Sequence, residues 1–197
     1  MRKLIAAMKV SLDGMVADAN GDAFWVEAWS EDYGLTPQID ACLLGAGMYP
    51  DYERYWTAML AAPDQPHLMS GNLPTPAELD WCLRVPRLPH YVLSSVMNSA
   101  GWANTSFLRS LQDIEALKQE PGKDIYLVGG ARMTGSLIEA GLVDELRLIT
   151  SSVVAGGGTP LFAAVCSPKR LRLKDVASLG GGRFRQVYEW VDPAQPV

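Results

Sequence analysis

The chain has 197 residues, of which 48% are hydrophobic and 20% are charged, and its formal net charge is −5. This composition predicts one globular domain over residues 1–197, and the absence of a Lys/Arg-rich run argues against a nucleic-acid-binding surface. No uninterrupted apolar run reaches the ~18 residues that cross a bilayer, so we expect no membrane span.

The three cysteines lie far apart, and no pair has the C-x-x-C spacing of a redox or metal motif. Because no secretory leader is visible either, we expect a protein of the reducing cytoplasm. Cys42, Cys82 and Cys166 are expected to be buried structural thiols.

The N-terminal segment begins with an apolar run at residues 4–8, which predicts a central strand. Asp13-Gly14 then signals a turn. Asp13 either contacts a substrate or relays a proton at the end of that strand, or it only stabilises the turn through its own backbone.

Aromatic residues collect in the polar segment 18–34, where Phe24, Trp25 and Trp29 follow Asn20-Gly21. The pattern predicts a loop and a short helix that close over something apolar. These rings either stack on a flat heterocycle or pack onto the core.

A second apolar run, residues 39–44, leads into Gly45-Ala46-Gly47 and predicts a nucleotide-binding turn after a strand. The proline-rich region that follows predicts a helix over residues 52–60 and then irregular surface. His67 and His90 have no partner at metal-ligand spacing, so we expect no metal site and place both at the surface or at a strand edge.

The segment from residue 90 to the end supplies further elements. Residues 90–95 read as a short strand that ends in Ser94 and Ser95, whose polar groups suit a ribose or a phosphate. Apolar positions between 108 and 117 predict an amphipathic helix. Two alternating segments around Gly180 predict an antiparallel hairpin at the sheet edge.

Four elements are predicted between this helix and the hairpin. They are a strand at residues 125–128, a Gly129-Gly130 turn, a helix capped by Thr134 and ended by Gly141, and a strand over residues 146–154. Such a crossover unit places the helix N-terminus at the carboxyl end of a parallel sheet, where free amides favour an anion.

Two glycines let a pyrophosphate approach the main chain, and Arg132 offers a planar fork of donors to a further phosphate. The alternative is that the glycines only form the turn and Arg132 lies in solvent. A glycine pair alone does not decide between these interpretations.

Several motifs together carry a resemblance to a known family: KLIAAMKVSLDGMVAD, LLGAGMY, YVLSS, DIYLVGGARM and GLVDELRLITSSVVAGGGTPLF. The chain resembles the dihydrofolate reductase-like fold and, within it, the reductase domain of bacterial riboflavin biosynthesis and its stand-alone relatives. The resemblance implies an α/β/α sandwich around a mixed, mainly parallel sheet, with NADPH across the carboxyl ends of the strands. The residues that the resemblance places on this cofactor are Ala7, Gly45, Ala46, Gly47, Met48, Leu93, Ser94, Ser95, Val128, Gly129, Gly130, Ala131, Arg132, Met133 and Thr134.

The family pattern is not complete in this chain. Ala46 and Ser95 stand where family members often carry basic residues, which leaves Arg132 as the expected contact for the 2′-phosphate. By resemblance, Asp13, Trp25 and Thr150 surround the substrate, and Asp13 is the candidate catalytic residue. The acidic residues that match the proton-donating carboxylate of folate reductases only ambiguously are Glu27, Glu31 and Asp32.

The resemblance therefore implies an NADPH-dependent reductase, expected as a homodimer, that delivers hydride to a small heterocycle of pterin, ribosylaminopyrimidine or flavin-precursor type. The alternative is a non-catalytic nucleotide-binding module of the same fold, which binds the cofactor without turnover.

Overall fold

The computed structural model describes residues 1–26, 33–66 and 71–191. The strands are β1 Leu4–Val10, β2 Met15–Ala17, β3 Ile39–Gly45, β4 His90–Leu93, β5 Thr105–Leu108, β6 Asp124–Gly129, β7 Glu145–Ser151, β8 Thr159–Pro160, β9 Leu171–Gly180 and β10 Arg183–Trp190. The α-helices are α1 Tyr49–Ala61, α2 Pro76–Arg84, α3 Leu111–Gln119 and α4 Ala131–Glu139.

Within these ranges, eight strands form one sheet in the order β5-β4-β3-β6-β1-β7-β10-β9. The pairs from β5 to β7 are parallel, whereas β10 is antiparallel to both β7 and β9. The sheet is therefore mixed and mainly parallel, and the predicted C-terminal hairpin lies at its edge. Strands β2 and β8 form a separate antiparallel pair.

Helices cover both faces of the sheet, which gives the predicted three-layer α/β/α sandwich. Trp56 of α1 and Trp81 of α2 belong to one buried cluster, and Ile114 of α3 and Leu137 of α4 belong to the other. Because both faces are covered, the central strands are apolar on both sides, as the continuous run in β1 indicates.

The helix boundaries follow from local chemistry. A capping box joins Thr75 and Glu78 at the start of α2, and another joins Ser110 and Asp113 at the start of α3. At the end of α4, Gly141 has a φ of 72°, and the amide of the next residue bonds back to the carbonyl of Leu137 at 3.0 Å. This left-handed C-terminal turn confirms the role predicted for Gly141.

Three sequence-based predictions about local structure are wrong. Helix α4 begins at Ala131 with Gly130 as its N-cap, so Thr134 does not cap it and instead lies buried one turn into the helix. The region after α1 is not only irregular surface, since it contains α2. His90 is not exposed: it is the first residue of β4 and has no solvent-accessible surface.

Two of the three cysteines are buried. Cys42 and Cys82 are buried as expected, whereas Cys166 is exposed, which corrects the prediction for that thiol. It lies in the irregular segment between β8 and β9, which no helix or strand covers.

Candidate active site

Three of the predicted nucleotide-binding segments meet at the carboxyl edge of the sheet. Gly45 at the end of β3 pairs with Leu93 at the end of β4, and Leu44 pairs with Gly129 at the end of β6. The amide of Ala46 also donates to the carbonyl of Leu93 at 3.3 Å. Parallel pairing thus brings together residues that lie 48 and 85 positions apart in the chain.

The Gly129-Gly130 turn joins β6 to α4 through a cis peptide bond. Gly129 has a φ of 126°, and a Cβ at this position would lie 3.0 Å from Sδ of Met8, so glycine is required by both conformation and space. A Cβ at Gly130 would meet nothing within 4 Å. The main chain at Gly130 is therefore open to a ligand.

The N-terminus of α4 has no side-chain cap, because its N-cap residue is Gly130. Free amides at a helix start attract anions. Arg132, on the first turn, is exposed and makes no hydrogen bond or ion pair within the part of the chain that the structure describes. Met133 packs beside β3, where a Cβ at Gly45 would lie 3.3 Å from its Sδ.

The end of β4 is shaped by a cation that sequence reasoning did not identify. Arg109 donates from Nη1 to the carbonyls of Ser94, at 2.6 Å, and Met97, at 2.7 Å. The Ser94 hydroxyl accepts from the amides of Val96 and Met97 at 3.2 and 2.9 Å, so it is engaged in the loop, whereas Ser95 is exposed. The missed signal was β5: recognising this short strand would have placed Arg109 beside Ser94.

A cavity of about 110 Å³ lies on the α1 and α2 face, beside the ends of β1 and β6. Its lining includes three residues that the resemblance assigned to the cofactor, namely Ala7, Met48 and Val128. The other described lining residues are Met8, Lys9, Tyr33, Asp51, Tyr52, Tyr55, Trp56, Trp81 and Tyr126. The cavity thus adjoins the predicted nicotinamide end.

None of the aromatic residues that line the cavity was predicted as a site residue. Tyr52, Tyr55 and Trp56 lie on α1, within the helix predicted over residues 52–60, but the sequence did not indicate which face of that helix lines a cavity. Burial raises the pKa of the Tyr52 phenol well above its usual range, and burial followed by the nearby Glu78 carboxylate raises that of Tyr55. Both phenols therefore keep their protons at neutral pH.

Asp13 is exposed and holds two loops together. Its Oδ1 accepts hydrogen bonds from the Ser11 hydroxyl at 2.6 Å and the Ala155 amide at 2.9 Å, and its Oδ2 accepts from the Gly156 amide at 2.9 Å. These bonds, with the Ser11 hydroxyl first, lower the pKa of Asp13 to about 2. The carboxylate is charged at neutral pH, and its contacts favour the turn-stabilising role.

The residues predicted around the substrate are not brought together in the cavity. Trp25 is buried, stacks edge to face on Phe24 with ring centroids 5.1 Å apart, and accepts a bond at its carbonyl from the Ser151 hydroxyl. The hydroxyl of Thr150, on β7, donates to Oε1 of Gln186 at 2.8 Å. Neither Trp25 nor Thr150 lines the cavity.

The carboxylates considered as proton donors, Glu27, Glu31 and Asp32, lie outside the described residues, as do Trp29 and His67. Within residues 1–26, 33–66 and 71–191, no group of three or more His, Cys, Asp or Glu residues could hold a metal ion. The same ranges contain no helix with the length and apolar character needed to cross a membrane.

Comparison with solved structures identifies the fold. The chain is similar to Enterococcus faecalis dihydrofolate reductase complexed with NADP(H), with a TM-score of 0.60 over 96% of this chain and 97% of that chain at 15% identity. It is also similar to a Thermotoga maritima diaminohydroxyphosphoribosylaminopyrimidine deaminase/5-amino-6-(5-phosphoribosylamino)uracil reductase, with a TM-score of 0.64 over 96% of this chain and 57% of that chain at 15% identity. The protein therefore has the dihydrofolate reductase-like α/β fold.

The family is narrower than the fold. The family model of the RibD C-terminal domain matches residues 2–183, so the chain belongs to the RibD C-terminal domain family. The chain is also 33% identical over 196 residues to Uncharacterized protein YyaP of Bacillus subtilis (strain 168). The matched region includes 96% of this chain and 95% of that protein. The family and fold expected from the motifs are thereby confirmed.

Proposed function

We propose that this protein is an NADPH-dependent reductase that transfers hydride to a small heterocyclic substrate. The observation that carries the proposal is the junction of two features: an uncapped helix N-terminus behind Gly130, and an aromatic cavity beside Ala7 and Val128. The helix N-terminus suits the phosphates of a dinucleotide, and the cavity adjoins the expected position of the nicotinamide ring.

The residues at the strand ends fit the cofactor by their chemistry. The open space at Gly130 admits a pyrophosphate close to the amides of α4, and exposed Arg132 offers a charge-assisted contact to a 2′-phosphate. Gly45 to Met48 and Leu93 to Ser95 lie on the same edge of the sheet, where the ribose and adenosine would follow. We assign cofactor binding to these segments and to the turn from Val128 to Thr134.

Bound NADPH would supply the hydride to a C=N or C=O carbon of the acceptor, while a proton goes to the adjacent nitrogen or oxygen. The chain's own contribution is to align the two rings and exclude water from the cavity. We propose water as the proton source, because Asp13 is held charged by the Ser11, Ala155 and Gly156 contacts. Substrate contacts of Trp25 and Thr150 stay predictions.

The test is a pair of titrations with NADPH and NADH followed by tryptophan fluorescence. R132A is expected to weaken NADPH binding about 10-fold or more and NADH binding little, since one charge-assisted bond contributes about 1.5–3 kcal/mol. R170A is the matched control, because Arg170 is exposed beside Val191 at the opposite edge of the sheet. No saturable binding of either cofactor would refute the proposal.

Turnover separates the reductase from a non-catalytic nucleotide-binding module. NADPH oxidation is followed with dihydrofolate, oxidised pterins, ribosylaminopyrimidines and flavins as acceptors. Cofactor binding without oxidation on any acceptor would favour the binding module.

A homodimer is also part of the proposal. Strand β9 is an edge strand of the described sheet, and its side chains Leu173 and Val176 are 51% and 57% exposed. Such an edge suits pairing with a second copy. Light scattering coupled to size-exclusion chromatography would measure the mass, and a monomer at micromolar concentration would contradict this proposal.

A further inference from the structure

Lys9 lies on the wall of the cavity, near the carboxyl end of β1. Side chains alternate along a strand, so Lys9 follows Ala7 on the same face of the sheet, about 7 Å further toward the carboxyl edge. Its ammonium stands 5.9 Å from the centre of the buried Tyr33 ring, which also lines the cavity. This cation–π contact holds the positive charge at the cavity wall.

The other described charges at the cavity do not cancel that of Lys9. Asp51 is the acidic residue among the described lining residues, but it pairs with Arg54 at 2.8 Å, and its side chain is 68% exposed. This pair is solvated and close to neutral. Met48, the N-cap of α1, makes no side-chain capping bond, so the start of that helix adds partial positive charge. The described surroundings of the cavity therefore favour a negative charge.

Reduction by hydride creates a negative charge at one defined atom of the acceptor. When the carbon of a C=N or C=O bond takes up hydride, the electron pair of that double bond moves to the nitrogen or oxygen. That atom stays negative until it takes a proton from water, which leaves hydroxide. Aromatic walls solvate such a charge poorly, so a cation that is already in place stabilises it more than it would in water.

We propose that Lys9 is a catalytic residue whose ammonium contacts the acceptor nitrogen or oxygen and stabilises the negative charge that develops there. The acceptor is reduced and the nicotinamide is oxidised, while Lys9 keeps its own proton throughout. As a statement about the reaction, this inference rests on the proposed reductase function. As a statement that the cavity prefers an anion because of Lys9, it does not.

The first test measures the preference of the cavity for an anion without cofactor, by isothermal titration calorimetry. The probes are benzoate and benzamide, which have nearly the same shape, and only benzoate is charged at pH 7. We expect benzoate to bind about 10-fold tighter than benzamide. K9M should abolish this preference, and K9R, which keeps the charge, should retain it. Equal affinities for the two probes in the unsubstituted protein, or a preference that K9M retains, would overturn the proposal.

K3M is the matched control for K9M. Lys3 is exposed and immediately precedes β1, so it lies at the opposite end of the strand that carries Lys9. K3M removes the same charge from the chain and should keep the preference for benzoate. Loss of the preference in both variants would assign it to the net charge of the protein and would refute the role of Lys9.

The second test follows NADPH oxidation with dihydrofolate, oxidised pterins, ribosylaminopyrimidines and flavins. K9M is expected to lower kcat about 100- to 1000-fold, with KM for the acceptor and Kd for NADPH nearly unchanged, because the charge develops only in the transition state. K9R should restore much of the activity. A higher KM or a weaker NADPH complex at unchanged kcat would overturn the proposal, because Lys9 would then bind a group that is charged before the reaction.

The two tests distinguish failure of this inference from failure of the proposed function. A preference for benzoate that K9M abolishes, without NADPH oxidation on any acceptor, would refute the reductase and leave the anion preference of the cavity standing. NADPH oxidation that K9M leaves unchanged would refute the role of Lys9 and leave the reductase standing.

Discussion

The Tyr55 hydroxyl of α1 donates a hydrogen bond to Oε1 of Glu78 on α2, at 3.1 Å. The other oxygen of Glu78 accepts from the amide and hydroxyl of Thr75, each at 2.9 Å. Glu78 is 1% exposed, so one buried carboxylate both caps α2 and fixes the wall of the aromatic cavity. The position of that wall therefore depends on a helix-capping carboxylate 23 residues further along the chain.

Replacing Glu78 by alanine should lower the free energy of unfolding by about 2–4 kcal/mol. About 1 kcal/mol reflects the lost cap, and the rest reflects a Tyr55 hydroxyl left buried without this acceptor. Urea unfolding measures the loss. D113A is the matched control: Asp113 closes a capping box of the same kind at the more exposed start of α3, so this substitution should lower the free energy of unfolding less than E78A does. Equal losses in the two variants would show that the Tyr55 contact contributes nothing.

The two glycines of the β6–α4 turn should respond differently to alanine. G129A is expected to destabilise the fold by about 1–3 kcal/mol, because its φ of 126° and the 3.0 Å approach to Met8 both oppose a Cβ. G130A should leave the unfolding free energy nearly unchanged, since its φ is −81° and no atom lies within 4 Å of the new methyl group.

The NADPH affinity of the G130A variant provides a second test of the β6–α4 turn. The methyl group of G130A would occupy the space assigned to the pyrophosphate, so we expect roughly 10-fold weaker binding at unchanged stability. A G130A protein that binds NADPH normally would place the phosphates elsewhere.

His90 should make the protein sensitive to mild acid. Burial lowers the pKa of its imidazole from 6.5 to about 4, so the folded state keeps it neutral while the unfolded state takes up a proton. The folded state binds fewer protons between these two pH values, and stability is therefore lost as pH falls from 6.5 to 4, by about 3 kcal/mol.

The measurement is the unfolding free energy of the unsubstituted protein and of H90Q across this pH range. Glutamine does not titrate, so the H90Q curve should fall less steeply, whatever its absolute stability. Parallel curves would assign the acid sensitivity to other groups.

Asp13 should act in a lower pH range than His90 and as a structural group. D13N removes the negative charge and places an amide donor against the backbone donors of Ala155 or Gly156, so the melting temperature at pH 7 is expected to fall by a few degrees. A pKa lowered from 3.8 to about 2 means that the contribution of the carboxylate is present above pH 4 and disappears as pH falls toward 2.

The difference in melting temperature between D13N and the unsubstituted protein should accordingly shrink over that interval. D64N is the control, because Asp64 is exposed and has no hydrogen bond or ion pair in the described part of the chain. If D13N instead abolished turnover at unchanged stability, Asp13 would be a catalytic residue.

Local pattern predicted the elements of the sheet well and their functional surroundings less well. The apolar run of β1, the Gly129-Gly130 turn and the C-terminal hairpin are all found where the pattern indicated. Strand β5 and helix α2 were missed, because the sequence TSFL of β5 is not a continuous apolar run and α2 begins at a proline inside a proline-rich region that was interpreted as irregular surface. Missing β5 concealed Arg109, and missing α2 concealed Trp81.

The sequence by itself determined the strand and turn types, the glycine pair of the β6–α4 turn and the family, since each depends on residues close together in the chain or on their order. Only the tertiary structure decided that Tyr33, Tyr52, Trp81 and Tyr126 share one cavity, and that Asp13 is bound to Ala155 and Gly156. Those contacts join segments that are distant in sequence. Parallel strand pairing and the packing of two helices on one face bring them together, and neither leaves a periodic signal in the chain.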